Sequence, residues 1–129
     1  MKLEGTIPIL RLGQTLLAAI HGDLRDRVAE AFQADLLRML ERTGAAGLVI
    51  DISGLDTVDS YVARVLTETG QMARLMGTET VLVGMRPEVA ATLVQMGYTV
   101  SGVRTALDLE AGLKLLGVSV DTTRKRGRA

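Results

Sequence analysis

The side chains able to do chemistry are few, and most gather in one stretch. Asp51, Asp56 and Asp59 run up to Ser60, while His21 is the one histidine and cysteine is absent. A Ser-His-Asp nucleophile would need His21 as its base. That residue precedes Gly22 at a strand-to-helix turn, where an imidazole more commonly serves structure. A metal centre would have to draw on His21 and scattered carboxylates with no ligand spacing behind it. The three aspartates could hold Mg²⁺, but Asx turns and a helix cap use the same residues, and that reading is preferred. Neither G-x-x-x-x-G-K-S/T nor a G-x-G-x-x-G after a strand occurs, so the standard phosphate cradles are missing. The inventory points to a protein that is not an enzyme, carries no metal and needs no cofactor.

The informative stretch runs from Asp51 to Ala63: an apolar strand ends in a carboxylate, a loop follows from Ser53 to Asp59, and an Asp-Ser pair opens a helix. Two arrangements fit that pair. With Asp59 as N-cap, Ser60 stands at the first helical position and its hydroxyl is not needed as the cap. With Ser60 as N-cap, the serine does the ordinary work of a serine at a helix start.

The elements around this stretch follow from periodicity. Pro8–Leu12 and Thr15–Ile20 read as strands joined at Gly13-Gln14, a hairpin signal. Gly22-Asp23 breaks the second strand and caps a helix whose apolar face is Leu24, Val28, Phe32, Leu36 and Leu40, ended by Thr43-Gly44. Gly47–Asp51 is a short buried-type strand. A helix from Ser60 to Met76 turns Val62, Val65, Leu66, Ala73 and Met76 inward and stops at Gly77. Thr80–Gly84 is the next strand, and Pro87 opens a third helix with Val89, Ala90, Leu93 and Val94 inside. Thr99–Val103 reads as the last strand. Thr105 with Asp108 forms a capping pattern for a final helix carrying Leu109, Leu113 and Leu116. The order β-β-α-β-α-β-α-β-α predicts an α/β domain with a mixed, largely parallel sheet, an opening hairpin and about four helices, joined by right-handed crossovers.

The chain has 129 residues, enough for one domain with its own core, and nearly half are apolar. Its only aromatics are Phe32, Tyr61 and Tyr98, so that core is aliphatic. Residues 1–120 form the domain. Residues 121–129, with Arg124, Lys125, Arg126 and Arg128, read as a basic, disordered tail. Charges balance over the whole chain, which leaves the folded body mildly acidic and argues against nucleic acid as a partner. No apolar run approaches the roughly 20 residues that span a bilayer, and no signal-peptide core is seen. With cysteine absent, a cytoplasmic protein off the membrane is expected.

The pattern strand-Asp-x-Ser-Gly-x-x-x-Val-Asp-Ser, followed by a helix, resembles the phosphorylation segment of STAS domains of the anti-sigma-factor-antagonist class. Val58-Asp59-Ser60-Tyr61-Val62-Ala63-Arg64 and Val83-Gly84-Met85-Arg86-Pro87-Glu88-Val89-Ala90 together are similar to the RsbS/RsbR stressosome scaffold proteins, and the likeness spans Pro8 to about Leu116. A serine at position 60, where RsbR-type proteins usually have threonine, and the lack of their N-terminal sensory domain put it nearest the RsbS type. It departs from sporulation-type antagonists, which follow the acceptor with Ser-Gly-Leu. The resemblance implies a phosphorylation-controlled scaffold in stress-response signalling, oligomeric with itself or with RsbR-like STAS paralogues. It would hold an RsbT-like GHKL serine kinase and release it when Ser60 is phosphorylated. By position Ser60 is the acceptor and Thr92 a second one, with Asp56, Asp59, Ser60 and Tyr61 as the partner-binding surface. The alternatives are an antagonist acting directly on an anti-sigma kinase, and a STAS module binding a small ligand.

Overall fold

The hairpin that opens the chain pairs β1 (Ile9–Leu12) antiparallel with β2 (Thr15–Gly22), Leu12 facing Thr15 across the turn. This computed structural model describes residues 7–97 and 103–118. After the hairpin come α1 (Asp26–Thr43), β3 (Gly47–Leu55), α2 (Ser60–Leu75), β4 (Glu79–Val83), α3 (Pro87–Gln95), β5 (Arg104–Ala106) and α4 (Leu109–Leu115). The five strands lie side by side in chain order, with β2 through β5 parallel. The predicted mixed, largely parallel sheet with four helices is what is observed.

Strand order decides where the helices go. When parallel strands advance in one direction and every crossover has the same hand, all connecting helices fall on one face. Accordingly α1, α2 and α3 share a core with Leu16, Ala18, Ile20, Leu48, Ile50 and Ile52. Ala29, Phe32, Leu36 and Leu40 form the buried stripe of α1, and Gly44 ends it as predicted. Gln33 Nε2 donates to Thr69 Oγ1 at 3.0 Å, joining α1 to α2. The opposite face is left to α4, whose Leu113 packs on Val49, Val81 and Val83.

Several expectations are corrected. Helix α1 begins at Asp26 after Arg25, with no side-chain cap, so Asp23 is not its cap. Strand β3 continues to Leu55 and does not end at Asp51. Its pairing with β2 slips between Ala19 and His21, where two steps of β2 meet three of β3. That bulge explains the misreading: Ile52 and Leu55 both point into the core, three residues apart, so the alternation breaks. Val94 is 75% exposed and Met76 44% exposed, and neither belongs to its helix's inner face. Asp108 alone caps α4, accepting from Ala111 N at 2.9 Å, and Thr105 lies in β5. Most of the strand predicted over 99–103 and the whole tail 121–129 lie outside the described residues. Among the described residues, no helix is long and apolar enough to cross a membrane.

Candidate functional site

The bulge in β3 leaves only Asp56–Asp59 to connect it to α2, and this short loop is tied down from several sides. Asp56 N donates to Gly22 O at 2.9 Å, anchoring the loop to the end of β2. Thr57 Oγ1 donates to Asp23 Oδ1 at 3.4 Å. From the far side, Arg86 Nη2 donates to Leu55 O at 2.5 Å and to Asp56 O at 3.5 Å. The sheet sets the bulge with equal firmness. Asp51 Oδ1 accepts from Ser53 N at 2.9 Å, and a Cβ on Gly54 would stand 2.3 Å from His21 Nδ1. A side chain at position 54 would require the exposed imidazole to move.

The choice of cap is decided by the hydrogen bond itself. Asp59 Oδ1 accepts from Val62 N at 2.9 Å, and α2 begins at Ser60. Ser60 is therefore the first helical residue, exposed at a helix N-terminus, and does not cap the helix. Asp59→Ala removes the acceptor for one orphan N–H and is expected to lower stability by about 1 kcal/mol. Chemical denaturation of the two proteins checks this; an unchanged midpoint would show that the cap contributes nothing.

The remaining predicted site residues fall as follows. Asp56 and Asp59 are exposed beside Ser60, and Tyr61 is half-buried. The Tyr61 hydroxyl donates to Asp26 O at 3.4 Å, and the Arg64 guanidinium carbon lies 5.6 Å from its ring centroid. Loss of hydration first, then the charges of Glu30 and Asp26, raise its pKa above the ordinary phenol value of 10.0, with Arg64 opposing. Tyr61 thus stays a neutral donor at neutral pH, tying the start of α2 to α1. An open cleft of about 580 Å³ lies between these two helix starts, lined by Asp23, Leu24, Arg25, Asp26, Thr57 and Asp59 among others. Thr92 is not part of this group: it sits on α3, half-buried, and its hydroxyl donates to Glu88 O at 2.9 Å. Among the described residues, no three metal-ligating side chains converge. Beneath the loop, Ile52, Val58, Ala63, Leu66 and Met85 line an apolar cavity of about 10 Å³, barely the space of one water.

Two residues that shape the site escaped sequence reasoning. Asp23, a cap by its place in the sequence, instead accepts from Thr57 Oγ1. Arg86 stands directly before Pro87, and no local signal marks the arginine's reach to a loop some thirty residues earlier.

The STAS domain family profile matches residues 6–112. Among solved structures, a serine-to-glutamate variant of RsbS from Moorella thermoacetica superposes with a TM-score of 0.77 at 41% identity, covering 87% of this chain and 95% of that one. A chain from the molecular architecture of the stressosome, a signal integration and transduction hub, gives a TM-score of 0.72 at 39% identity, covering 85% and 96%. The RsbT co-antagonist protein RsbRB of Bacillus subtilis is 31% identical over 114 residues, which is 88% of this chain. The chain spans only 41% of that relative's length.

Proposed function

This chain belongs to the STAS domain family, and from that premise we propose that it is a non-catalytic stressosome scaffold of the RsbS type, with Ser60 as the acceptor for an RsbT-like serine kinase. In this reading the unmodified protein co-assembles with RsbR-like paralogues in the cytoplasm and holds the kinase. Phosphorylation of Ser60 releases the kinase for its downstream task. The observation that carries the reading is the division of labour at the start of α2: Asp59 is the cap, and Ser60 stands exposed beside it as the first helical residue, after a loop held by Gly22 and by Arg86. The RsbS and stressosome likenesses support the scaffold role.

The electrostatics suit a switch that spares the fold. A phosphate adds about −1.5 to −2 charges at neutral pH, and a helix N-terminus accommodates negative charge. Asp56 and Asp59 already flank the site, so modification makes that corner strongly acidic. A partner fitted to the neutral hydroxyl then meets repulsion and a desolvation cost. Thr92 is the secondary acceptor in this reading, and its hydroxyl must first leave the Glu88 carbonyl.

Two measurements test the proposal. Intact mass after incubation with an RsbT-type kinase and Mg-ATP is expected to show one added phosphate, mapped to Ser60. Light scattering of the protein mixed with an RsbR-type paralogue is expected to show a particle far above the 13.8 kDa monomer. A mixture that stays monomeric at micromolar concentration overturns the scaffold reading.

A further inference from the structure

We propose that Arg86 is a positioning residue for Ser60: a clamp thrown from the start of α3 across the carbonyls that end β3, holding the acceptor loop in one conformation. The inference rests on the reading of Ser60 as phosphoacceptor, but its structural basis is separate. Arg86 occupies the N-cap position of α3, where a guanidinium, having donors only, cannot cap the helix. The guanidinium instead donates through Nη2 to Leu55 O at 2.5 Å and reaches Asp56 O at 3.5 Å. Its Nε is buried and meets no hydrogen-bond acceptor among the described residues. An unmet buried N–H costs roughly 1–3 kcal/mol, and a methionine or leucine at this half-buried position would avoid that cost while keeping the packing. The one service that the arginine performs and an apolar side chain cannot is to hold the Leu55 and Asp56 carbonyls.

Those carbonyls are where holding matters. Leu55 pairs with Gly22 on the β2 side, but the β4 ladder stops at Asp51 opposite Val83, so on that side no strand reaches Leu55 or Asp56 and water can compete for their carbonyls. Gly22 O takes Asp56 N from the β2 side, so Arg86 supplies the restraint from the β4 side. Both anchors act at the start of the loop, which leaves only Thr57, Val58 and Asp59 before the capped helix fixes Ser60. A hydroxyl that must reach a kinase's γ-phosphate gains rate from being held in a near-attack position, and small misplacements are costly. Both contacts come from Nη2, which the planar guanidinium holds in a fixed orientation, whereas a lysine ammonium is a compact point charge whose three donors rotate on a flexible stem.

The experiment compares the wild type with Arg86→Met, which keeps an apolar stem without donors, and Arg86→Lys, which keeps a cationic donor group but not the guanidinium's fixed geometry. Hydrogen exchange is read at the amides of Asp56 to Val62, with the amides of β4 as an internal reference. Arg86→Met is expected to exchange about tenfold faster in the loop, the factor that one lost charge-assisted hydrogen bond is worth at its lower end, with β4 unchanged. Arg86→Lys is expected to fall between. Phosphorylation by an RsbT-type kinase with Mg-ATP is then expected to lose about tenfold in kcat for Arg86→Met with KM little changed, since the docking surface is intact and only the acceptor's placement suffers. Loop exchange identical in all three proteins overturns the clamp, whatever the kinase does. Faster loop exchange with undiminished kcat overturns the positioning role. If the kinase leaves wild-type Ser60 unmodified while the loop exchange responds to Arg86, the phosphoacceptor reading fails, and the positioning role for Ser60 fails with it.

Discussion

Ser60→Ala is expected to fold, to bind the kinase as the wild type does, and to keep it bound when Mg-ATP is added. The substitution removes an exposed hydroxyl from the first position of α2 and leaves the capping bond from Val62 N to Asp59 untouched. Alanine is also the best helix former, so little stability is at stake. What disappears is the acceptor oxygen whose phosphorylation the proposed release requires. Ser60→Asp supplies one negative charge where phosphate brings nearly two, and is expected to weaken kinase binding by about 1–3 kcal/mol if the contact is desolvated. Ser53→Ala is the control. Its hydroxyl belongs to the β3 bulge, outside the acceptor loop, and ATP-driven release is expected to be normal. Binding measured by interferometry before and after Mg-ATP decides the matter. Wild-type affinity in Ser60→Asp, together with normal release from Ser60→Ala, would reduce Ser60 to an ordinary helix residue.

Gly84→Ala is expected to be the most destabilising single methyl addition near the site. Gly84 has φ +77°, a conformation that costs an L-residue about 1–2 kcal/mol. A Cβ there would also stand 2.8 Å from Asp51 Oδ1, 2.8 Å from Ser53 Cβ and 3.1 Å from Ser53 N. These are the groups that form the β3 bulge, and overpacking of this kind adds roughly 1–3 kcal/mol. The sum, about 2–5 kcal/mol, is a large part of the 5–15 kcal/mol typical of a domain. Gly77→Ala separates the two causes. Its φ is +89°, but nothing lies within 4 Å of the added carbon, so only the strain is expected. Urea denaturation of both variants checks the difference, and equal losses would show that the bulge yields to the methyl without resistance.

Much of the frame was legible because it is written in local terms. The hairpin was readable from two β-type runs around Gly13-Gln14, and α1 from the spacing of Phe32, Leu36 and Leu40. The start of α3 was readable from Pro87, whose missing N–H is harmless in a first turn. Backbone preference and burial period act over a few residues, so neighbouring sequence carries them. The family likeness lay in two short blocks, and the acceptor candidate came with the first of them. Where the local signal was ambiguous, the reading went astray in a physically specific way. The bulge put Ile52 and Leu55 on one face and broke the alternation that marks a strand, so the loop was drawn too long. Thr105 and Asp108 are both good caps, and only the bond to Ala111 N selects Asp108.

What the tertiary structure alone decided is the environment of Ser60. Asp59 and Ser60 are equally able to cap a helix, and the choice depends on where the end of β3 delivers the chain relative to the first turn of α2. That delivery is set by partners far away in sequence: Gly22 at the end of β2, Asp23 before α1, and Arg86 at the start of α3. Their meeting depends on strand order, which no periodicity encodes. Only when β2, β3 and β4 lie side by side do their C-terminal ends converge on one loop. A side chain as long as arginine's then finds carbonyls that sequence distance gave no reason to expect. The family resemblance singled out Ser60 as the acceptor candidate, and sheet topology determined which residues hold its loop in place.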